Sequence, residues 1–325
     1  MNNIMIKDCI KELRKLPFFE PVLGLASFLF MCVNVCFWSL MAHLVAPLLL
    51  GSDKHKAMAE DYFDRLFNGW VAANEWWFKQ ILDVHWDLDD SMVTDFNRWS
   101  LMISNHRSWV DVFILLAQIQ GKRPLPRVFM KQALFWMPFV GTATYIMGFP
   151  YMKRYSKETL AKKPHLAGKD LATTKRSCER LLNRPNSILT FVEGTRFTQA
   201  KQEAQASQYQ HLLKPKAGGV GFILQTMPQR INSITDLNVL YDQANISGWD
   251  VLCGRLSKAK VMVREVALPE SFLSAEFRPA DQDRDAFFEW FNLYWHDKDV
   301  RMGHQLDALK ASEASPEKAV TEGKT

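Results

Sequence analysis

The apolar and polar positions divide the chain into an apolar N-terminal part and a longer part with short alternating runs. From Pro21 to Ser52 the sequence contains no Asp, Glu, Lys or Arg. The apolar segment 22–50 exceeds the roughly 18 residues that indicate a membrane segment, and a cleaved signal peptide is normally shorter. Basic residues occur on both sides of it, which favours an anchor that dips into the membrane and keeps both ends in the cytoplasm. A single membrane span stays open as the alternative.

Residues 57–82 have the pattern of an amphipathic helix. Apolar residues recur at steps of three and four, in the order Met58, Tyr62, Leu66, Trp70, Ala73, Trp77 and Ile81. Because Trp favours the boundary between membrane and water, the pattern predicts an interfacial helix. Packing of this helix against the body of the protein is the alternative. Residues 1–82 are therefore expected to form a membrane anchor.

From about residue 95 the pattern changes to short apolar runs separated by helical stretches. The predicted strands are Trp99–Ser104, Arg127–Met130, Thr144–Phe149, Ser187–Val192, Leu237–Tyr241 and Lys260–Val266. The predicted helices are Val110–Gln120, Asp170–Asn183, Gly218–Met227 and Asp281–Met302. This alternation predicts an α/β fold with a mostly parallel central sheet and helices on both faces. Residues 83–305 are expected to form this α/β domain, and the polar tail 306–325 is expected to be disordered.

Composition and charge narrow the class of protein. Apolar residues make up 48% of the chain and charged residues 23%, which excludes collagen-like and wholly disordered proteins. A single apolar segment excludes a polytopic transporter. The five cysteines include no CxxC pair, so a zinc site is not expected. Residues 150–184 hold ten basic and three acidic residues, which indicates an anionic lipid surface or substrate, and no motif supports nucleic-acid binding.

The first candidate for chemistry is Asn105-His-Arg-Ser-Trp-Val-Asp111, between a predicted strand and a predicted helix. A turn that leaves His106 ahead of the helix allows its imidazole to fold back over Asp111. The carboxylate would then hold one ring nitrogen and leave the other free as a base. Ser108 and Asp111 also fit a helix-capping box, so a purely structural role stays open. A serine nucleophile beside His106 is a further alternative.

The second candidate is Phe191-Val-Glu-Gly-Thr-Arg196, which follows another predicted strand. Gly194 permits a tight turn, and Arg196 offers a planar fork suited to phosphate. Ligands of open α/β sheets bind beyond the carboxyl ends of the strands. We therefore expect His106 and Arg196 to face one crevice.

Two further basic residues follow predicted strands. Lys131 ends one strand, and Arg154 comes shortly after another. One base and several cations on one edge of a sheet predict a site for an anionic substrate that carries a nucleophilic hydroxyl. The sequence contains no GxSxG, Walker A, HExxH or GxGxxG motif, so other familiar chemistries find no support.

Both motifs resemble those of the glycerolipid acyltransferases. NHRSWVD is similar to their NHx4D motif and FVEGTR to their F-x-EGTR motif, in the same order and with FMKQALFWMPFVG and FPYMKRY between them. The chain resembles bacterial 1-acyl-sn-glycerol-3-phosphate (lysophosphatidic acid) acyltransferases over about residues 95–245 and in its apolar N-terminus. Two departures are Val192, where the family has proline, and Leu237–Tyr241, which lacks the usual proline.

The resemblance implies transfer of a fatty acyl group from acyl-CoA or acyl carrier protein to the sn-2 hydroxyl of lysophosphatidic acid or a related lysophospholipid. His106 would be the general base, and Asp111 would orient it. The implied substrate-binding residues are Lys131, Arg154, Glu193, Gly194, Thr195 and Arg196.

The resemblance implies no metal or other cofactor, and the expected partners are the lipid bilayer, the lysophospholipid and the acyl donor. The expected location is the bacterial inner membrane, with the catalytic domain facing the cytoplasm. The alternatives are a thioesterase or lysophospholipase that uses water in the same site, and a membrane-tethered lipid-binding protein without catalysis.

Overall fold

Two long helices precede the α/β part of the chain. The computed structural model describes residue 10 and residues 12–128, 130–152, 184–227, 229–243, 246–279 and 282–314. Helix α1 is Phe19–Val45, continued by a 3₁₀ turn at Ala46–Leu50, and helix α2 is Asp53–Gln80. Within the described residues, α1 with its 3₁₀ turn is the one helical segment long and apolar enough to cross a membrane.

Helices α1 and α2 pack closely against each other. Trp77 of α2 stacks on Phe30 with ring centroids 4.1 Å apart, and its indole N–H donates to Ser27 Oγ at 3.1 Å. Further along α1, the Trp38 ring lies against Gly69, where a Cβ would come within 2.3 Å of it. A residue larger than glycine at position 69 would push the two helices apart.

The buried face of α2 is displaced by one residue from the predicted one. The buried residues are Ala59, Phe63, Phe67, Val71, Asn74 and Phe78, whereas Met58 and Tyr62 are exposed. Phe63 and Phe78 belong to the main hydrophobic core, so this face packs on the body of the protein. The shift has a physical reason: α2 also contacts α1, and apolar residues therefore occur on more than one of its faces.

A six-stranded sheet forms the centre of the fold. Its strands are β1 (His85–Asp87), β2 (Ser100–Ser104), β3 (Arg127–Val128), β6 (Ser187–Phe191), β7 (Ser233–Tyr241) and β8 (Lys258–Ala267). Two further strands of the described residues, β4 (Met130–Lys131) and β5 (Tyr151–Met152), form a separate two-stranded sheet. The order in the main sheet is β1-β8-β7-β2-β6-β3, and every neighbouring pair is parallel except β7 and β8. The predicted mostly parallel sheet is confirmed.

Helices cover both faces of this sheet, as the alternating pattern predicts. The helices that the structure describes after α2 are α3 (Asp111–Ile119), α4 (Val140–Ile146), α5 (Gln199–Ala204), α6 (Ala217–Thr226), α7 (Gly248–Leu252) and α8 (Arg284–Ala314). Two shorter 3₁₀ helices are Gln132–Trp136 and Glu270–Leu273. In β2, Met102 faces the core formed with α2 and α3, whereas Leu101 and Ile103 face the core formed with α6 and α8.

The predicted strand Thr144–Phe149 is wrong. Most of this run belongs to or directly follows α4, and a short apolar run does not by itself distinguish a strand from a buried helix. A hairpin forms here because Gly141 lies against the 3₁₀ helix, where a Cβ would be 1.9 Å from the Phe135 carbonyl oxygen. The predicted strand Arg127–Met130 is confirmed in its first part, which is β3 of the main sheet, whereas Met130 and Lys131 form β4 of the small sheet.

The C-terminal helix is longer than predicted. Helix α8 continues to Ala314, so residues 306–314 are helical and not disordered. Buried Met302 and Leu309 pack in the same core as Phe291, and these contacts favour the helix beyond the predicted end. Residues 315–325 and the predicted helix Asp170–Asn183 lie outside the described residues.

Candidate active site

Three parallel strands bring both motifs to one edge of the sheet. Ser104, the last residue of β2, pairs with Phe191 at the end of β6 and with Leu237 in β7. His106 therefore leaves the sheet beside the turn that carries Arg196, which is the arrangement expected of a ligand site in an open α/β sheet.

His106 and Asp111 are in direct contact. The Nδ1 atom of His106 lies 2.8 Å from Asp111 Oδ2, with the Asp111 side chain fully buried and the His106 side chain 18% exposed. The imidazole also stacks on Phe191, with ring centroids 4.1 Å apart. Because the carboxylate holds Nδ1, Nε2 is the ring nitrogen left to meet a substrate.

Asp111 also organises the turn that carries His106. Its Oδ2 accepts the backbone N–H of Arg107 at 2.6 Å and that of Ser108 at 2.9 Å. The contact with Ser108 is one half of the predicted capping box. The other half is absent, since the Ser108 hydroxyl accepts from Val110 at 3.5 Å and not from Asp111. Asp111 therefore performs part of the structural role while it holds His106.

Tyr241 binds the second carboxylate oxygen of Asp111. Its hydroxyl donates to Asp111 Oδ1, and it lies at the end of β7, on the same edge of the sheet. Burial raises the pKa of Tyr241 well above its ordinary value, so the phenol keeps its proton. Sequence reasoning missed this residue, and the one available signal was its place at the carboxyl end of a predicted strand.

Asn105 fixes the point where His106 leaves the sheet. Its side-chain amide donates to the Val239 carbonyl at 2.9 Å and accepts the Val239 N–H at 2.8 Å. The side chain thus takes the place of backbone pairing for one residue beyond β2.

Glu193 lies beneath the turn. It is 1% exposed, and its carboxylate accepts the N–H of His106 at 2.8 Å and that of Leu213 at 3.0 Å. Burial raises the pKa of Glu193 to about 7, although these two donors and the charge of Arg107 oppose the shift. The structure thus places Glu193 under the His106 turn and away from the cavity that Arg196 lines.

The turn after Glu193 presents Arg196 to a polar cavity. Gly194 has φ 66°, and a Cβ there would lie 2.7 Å from the Lys216 ammonium. Lys201 Nζ donates to Thr195 Oγ1 and to the Arg196 carbonyl, both at 2.8 Å. Arg196 is exposed and makes no ion pair with any residue that the structure describes, Glu193 included.

The polar cavity has a volume of about 460 Å³, and Arg107, Arg196, Lys201 and Tyr241 are among its lining residues. The Arg107 guanidinium lies over the Phe197 ring and donates to the His211 carbonyl at 3.3 Å. Its buried Nε has no hydrogen-bond partner among the residues that the structure describes. Burial lowers the pKa of Arg107, while Glu193 and Asp111 oppose the shift. An anion in this cavity would therefore find guanidinium donors already in place.

A second, apolar cavity of about 300 Å³ lies between α1, α2, α3 and α4. Trp38, Phe67 and Ala143 contribute to its walls, together with Val112 of α3. Val112 follows Asp111 directly, while Ser108, three residues before Asp111, lines the polar cavity. The polar cavity and the apolar cavity, which suits a hydrocarbon chain, are therefore both lined by residues close to the start of α3.

The described structure does not include the side chains of two predicted site residues, Lys131 and Arg154. The backbone of Lys131 ends β4 in the small sheet, and Arg154 lies outside the described residues. Among the residues that the structure describes, no group of three or more His, Cys, Asp or Glu side chains is placed to hold a metal ion.

Residues 92–240 match the family model named Acyltransferase. This part of the chain, which we call the acyltransferase domain, is similar to that family over 149 of the 325 residues. The acyltransferase domain contains both predicted motifs, together with β2, β6 and all of β7 except its last residue, Tyr241.

Three relatives of the acyltransferase domain illustrate the similarity. A 1-acyl-sn-glycerol-3-phosphate acyltransferase 2 of Brassica oleracea is 27% identical over 183 residues, which cover 52% of this chain and 43% of that protein. An uncharacterized acyltransferase of Saccharomyces cerevisiae is 25% identical over 228 residues, or 62% of this chain and 57% of that protein. A 1-acyl-sn-glycerol-3-phosphate acyltransferase 3 of Arabidopsis thaliana is 32% identical over 114 residues, which cover 34% of this chain and 27% of that protein. The chain spans about half the length of the first curated relatives it matches.

A solved structure is also similar to this chain: the 1-acyl-sn-glycerophosphate acyltransferase PlsC from Thermotoga maritima. The alignment has a TM-score of 0.49 and 15% sequence identity, and it covers 78% of this chain and 89% of that one.

Helix α8 lies beyond the matched residues of the acyltransferase domain but supports its site. The Asp299 carboxylate accepts the N–H of Gln210 at 2.7 Å and that of His211 at 2.8 Å. The His211 carbonyl in turn holds Arg107. The C-terminal helix thus fixes the loop behind the polar cavity.

Proposed function

We propose that this chain transfers a fatty acyl group from an acyl thioester to the sn-2 hydroxyl of lysophosphatidic acid or a closely related lysophospholipid. The observation that carries the proposal is the contact between His106 and Asp111, placed where a guanidinium-lined cavity and an apolar cavity meet one helix. The match of residues 92–240 to the Acyltransferase family model and the names of the plant relatives support the reaction class.

In the proposed mechanism, His106 Nε2 takes the proton of the acceptor hydroxyl as that oxygen attacks the thioester carbonyl carbon. The tetrahedral intermediate then collapses, the C–S bond breaks, and the proton passes from His106 to the leaving thiolate. Asp111 stabilises the imidazolium that exists between these steps. A positioned general base of this kind typically contributes 10²–10⁴-fold to the rate. The reaction needs no metal, no other cofactor and no covalent intermediate on the protein.

The polar cavity is the proposed site for the phosphate of the acceptor. Arg196 and Arg107 both line it, and a guanidinium group binds phosphate through two parallel hydrogen bonds. Gly194 and Thr195 would shape the turn that presents Arg196. Lys131 and Arg154 remain candidates for further contacts to the phosphate. For Glu193 the buried position favours a different role, which is to hold the His106 turn in place.

The apolar cavity is the proposed site for the acyl chain. Its lining is almost wholly hydrocarbon and aromatic, and burial of each methylene group contributes about 0.8 kcal/mol. A donor bound in this way would have its thioester carbonyl near the start of α3, where His106 and Asp111 lie.

Helices α1 and α2 are the proposed anchor on the cytoplasmic face of a bacterial inner membrane. Contacts at both ends of α1 favour an anchor that does not cross the bilayer. Near its start, Gly24 lies against Trp249 of α7. Beyond its end, Asp64 of α2 pairs with Arg127 of β3 in the main sheet at 3.0 Å. A helix that crossed the membrane would carry one of these ends away from the domain.

The test of the proposed function is product analysis with purified full-length protein in detergent. Acyl-CoA and acyl carrier protein are supplied as donors, and lysophosphatidic acid, lysophosphatidylethanolamine, lysophosphatidylglycerol and monoacylglycerol as acceptors. We expect a diacyl product, formed fastest from lysophosphatidic acid. His296→Ala, which removes an exposed histidine on α8, is the matched control for His106→Ala. Free fatty acid without diacyl product would indicate a hydrolase, and binding without any product a lipid-binding protein; either result contradicts the proposal.

A further inference from the structure

The chain contains a second uncharged stretch. From Gln132 to Met152 there is no Asp, Glu, Lys or Arg. The structure folds the first part of it, residues 132–146, into a 3₁₀ helix, a tight turn and helix α4, which together we call the apolar hairpin. The hairpin is held closed at Gly141, which has no room for a side chain against the Phe135 backbone.

The outer side of the apolar hairpin exposes large apolar side chains. Trp136 is 80% exposed, Phe139 54% and Met137 45%. Phe139 has φ 63°, a left-handed conformation that costs energy for a residue other than glycine and persists only where the surrounding structure imposes it. The strained turn carries its aromatic ring outward and not into the core. Contiguous apolar exposure of this kind marks a contact with a membrane or another apolar surface.

The outer side of the hairpin is continuous with the outward face of α1. Phe139 shares one open surface depression with Cys32, Cys36, Phe37 and Leu40 of α1. The outward face of α1 exposes more than half of each of its large apolar side chains, Phe28, Leu29, Val33, Phe37, Leu40 and Leu44. Since α1 is the described segment apolar enough to enter a bilayer, the medium that covers α1 also reaches the hairpin.

We propose that the apolar hairpin inserts into the membrane beside α1, so that the protein binds the bilayer through two separate segments of its chain. The occupant of this surface is therefore lipid. The absence of any charge between Gln132 and Met152 fits hydrocarbon, and the exposed Trp136 fits the boundary between hydrocarbon and water.

The inner side of the hairpin gives this insertion a consequence for catalysis. Leu134, Val140 and Ala143 line the apolar cavity, so one thin layer of protein separates that cavity from the bilayer. An acyl chain would then pass from lipid to cavity along the seam between the hairpin and α1. This consequence rests on the proposed function, whereas the insertion itself does not.

Photo-cross-linking tests the insertion without any measurement of activity. The photoreactive residue p-benzoylphenylalanine replaces Trp136 or Phe139 in the full-length protein, which is reconstituted in vesicles of phosphatidylethanolamine and phosphatidylglycerol. The same replacement at Phe37 of α1 is the positive reference. Leu293 on α8, which is 67% exposed, is the matched control for an exposed apolar side chain away from the membrane. We expect phospholipid adducts at positions 37, 136 and 139 and at most background at position 293.

Three outcomes overturn the proposal. Adducts at position 37 without adducts at 136 and 139 would place the hairpin outside the bilayer. Equal lipid yields at positions 136 and 293 would show that the hairpin has no preference for lipid. In native membranes, cross-links from positions 136 and 139 to a protein and not to lipid would show that the outer side of the hairpin binds a protein.

A charge-insertion experiment provides an independent measurement. The double variant Trp136→Asp with Phe139→Asp is compared with Leu293→Asp by flotation with the same vesicles. We expect the hairpin variant to bind at least about tenfold more weakly, because a carboxylate in hydrocarbon is strongly unfavourable, while Leu293→Asp binds as the original protein does. The acyltransferase activity of the hairpin variant in detergent, measured with soluble substrates, should remain. Unchanged vesicle binding by the folded double variant would contradict the insertion.

Discussion

Tyr241 donates its hydroxyl hydrogen to the Asp111 oxygen that does not contact His106. One oxygen of this buried carboxylate is therefore held by His106, from the turn after β2, and the other by Tyr241, from the end of β7. With both oxygens bound, the carboxylate has little freedom to rotate away from the imidazole.

Replacing Tyr241 by Phe should slow acyl transfer without preventing folding. The change leaves Asp111 Oδ1 buried and unpaired, and a hydrogen bond to a charged group contributes about 1.5–3 kcal/mol. We expect turnover to fall roughly tenfold or more, together with a lower melting temperature. Tyr294→Phe, at another buried tyrosine, is the control and should keep its turnover. Wild-type turnover in Tyr241→Phe would show that Tyr241 does not position Asp111.

Replacing Arg196 by Lys should separate the two substrates kinetically. If the polar cavity holds the acceptor phosphate, the loss of the bidentate contact should raise KM for lysophosphatidic acid by about ten- to a hundredfold. The KM for the acyl donor should change little. Arg264→Lys, at a surface ion pair with Asp297, is the control for a change of Arg to Lys elsewhere.

Arg107→Lys should act in the same direction as Arg196→Lys, because the guanidinium groups line one cavity. Initial rates with acceptor and donor varied separately provide the measurement. An unchanged acceptor KM in both folded variants would remove the phosphate from this cavity.

The sequence predicted the edge of the sheet where the site forms, because apolar runs located the ends of β2 and β6 and the motifs follow those ends directly. It did not predict Tyr241 as a partner of Asp111, since that contact joins strands far apart in the chain. It also did not predict that the Glu193 carboxylate accepts backbone N–H groups, because a carboxylate after a strand gives no sign of whether it faces a cavity or the backbone beneath it.

The elements predicted incorrectly are those whose apolar residues contact two different parts of the structure. Helix α2 contacts both α1 and the domain, so its periodicity indicated a face one residue away from the buried one. The run that includes Thr144 lines a cavity on a short helix, and its length was equally compatible with a strand.

Filling the apolar cavity should change the acyl-chain preference. In Ala143→Phe the added ring would occupy part of the cavity of about 300 Å³, so long-chain donors should lose kcat/KM much more than short-chain donors. Ala133→Phe adds the same ring on the exposed side of the 3₁₀ helix and is the matched control. Equal losses for long and short donors would place the acyl chain elsewhere.

Glu193 should make the stability of the protein depend on pH. Its folded pKa of about 7 lies above the ordinary 4.5, so its contribution to the free energy of unfolding is fully present below about pH 4.5 and is lost as pH rises to about 7. The change amounts to about 3 kcal/mol. Glu193→Gln lacks this titration, so thermal unfolding between pH 5 and pH 8 should show the original protein losing stability relative to the variant. Exposed Glu289→Gln should show no such difference, and parallel curves for Glu193→Gln would contradict the assignment.

Turnover of His106→Ala measures the central claim most directly. The variant and the original protein are purified in the same detergent, shown to have the same melting temperature within a few degrees, and assayed for diacyl product at saturating donor and acceptor. A general base held by Asp111 should be worth at least about 10² in rate, so we predict a loss of that size or larger in His106→Ala. A folded His106→Ala protein that retains more than about a tenth of the original turnover would contradict it, because a general base cannot be removed at so small a cost.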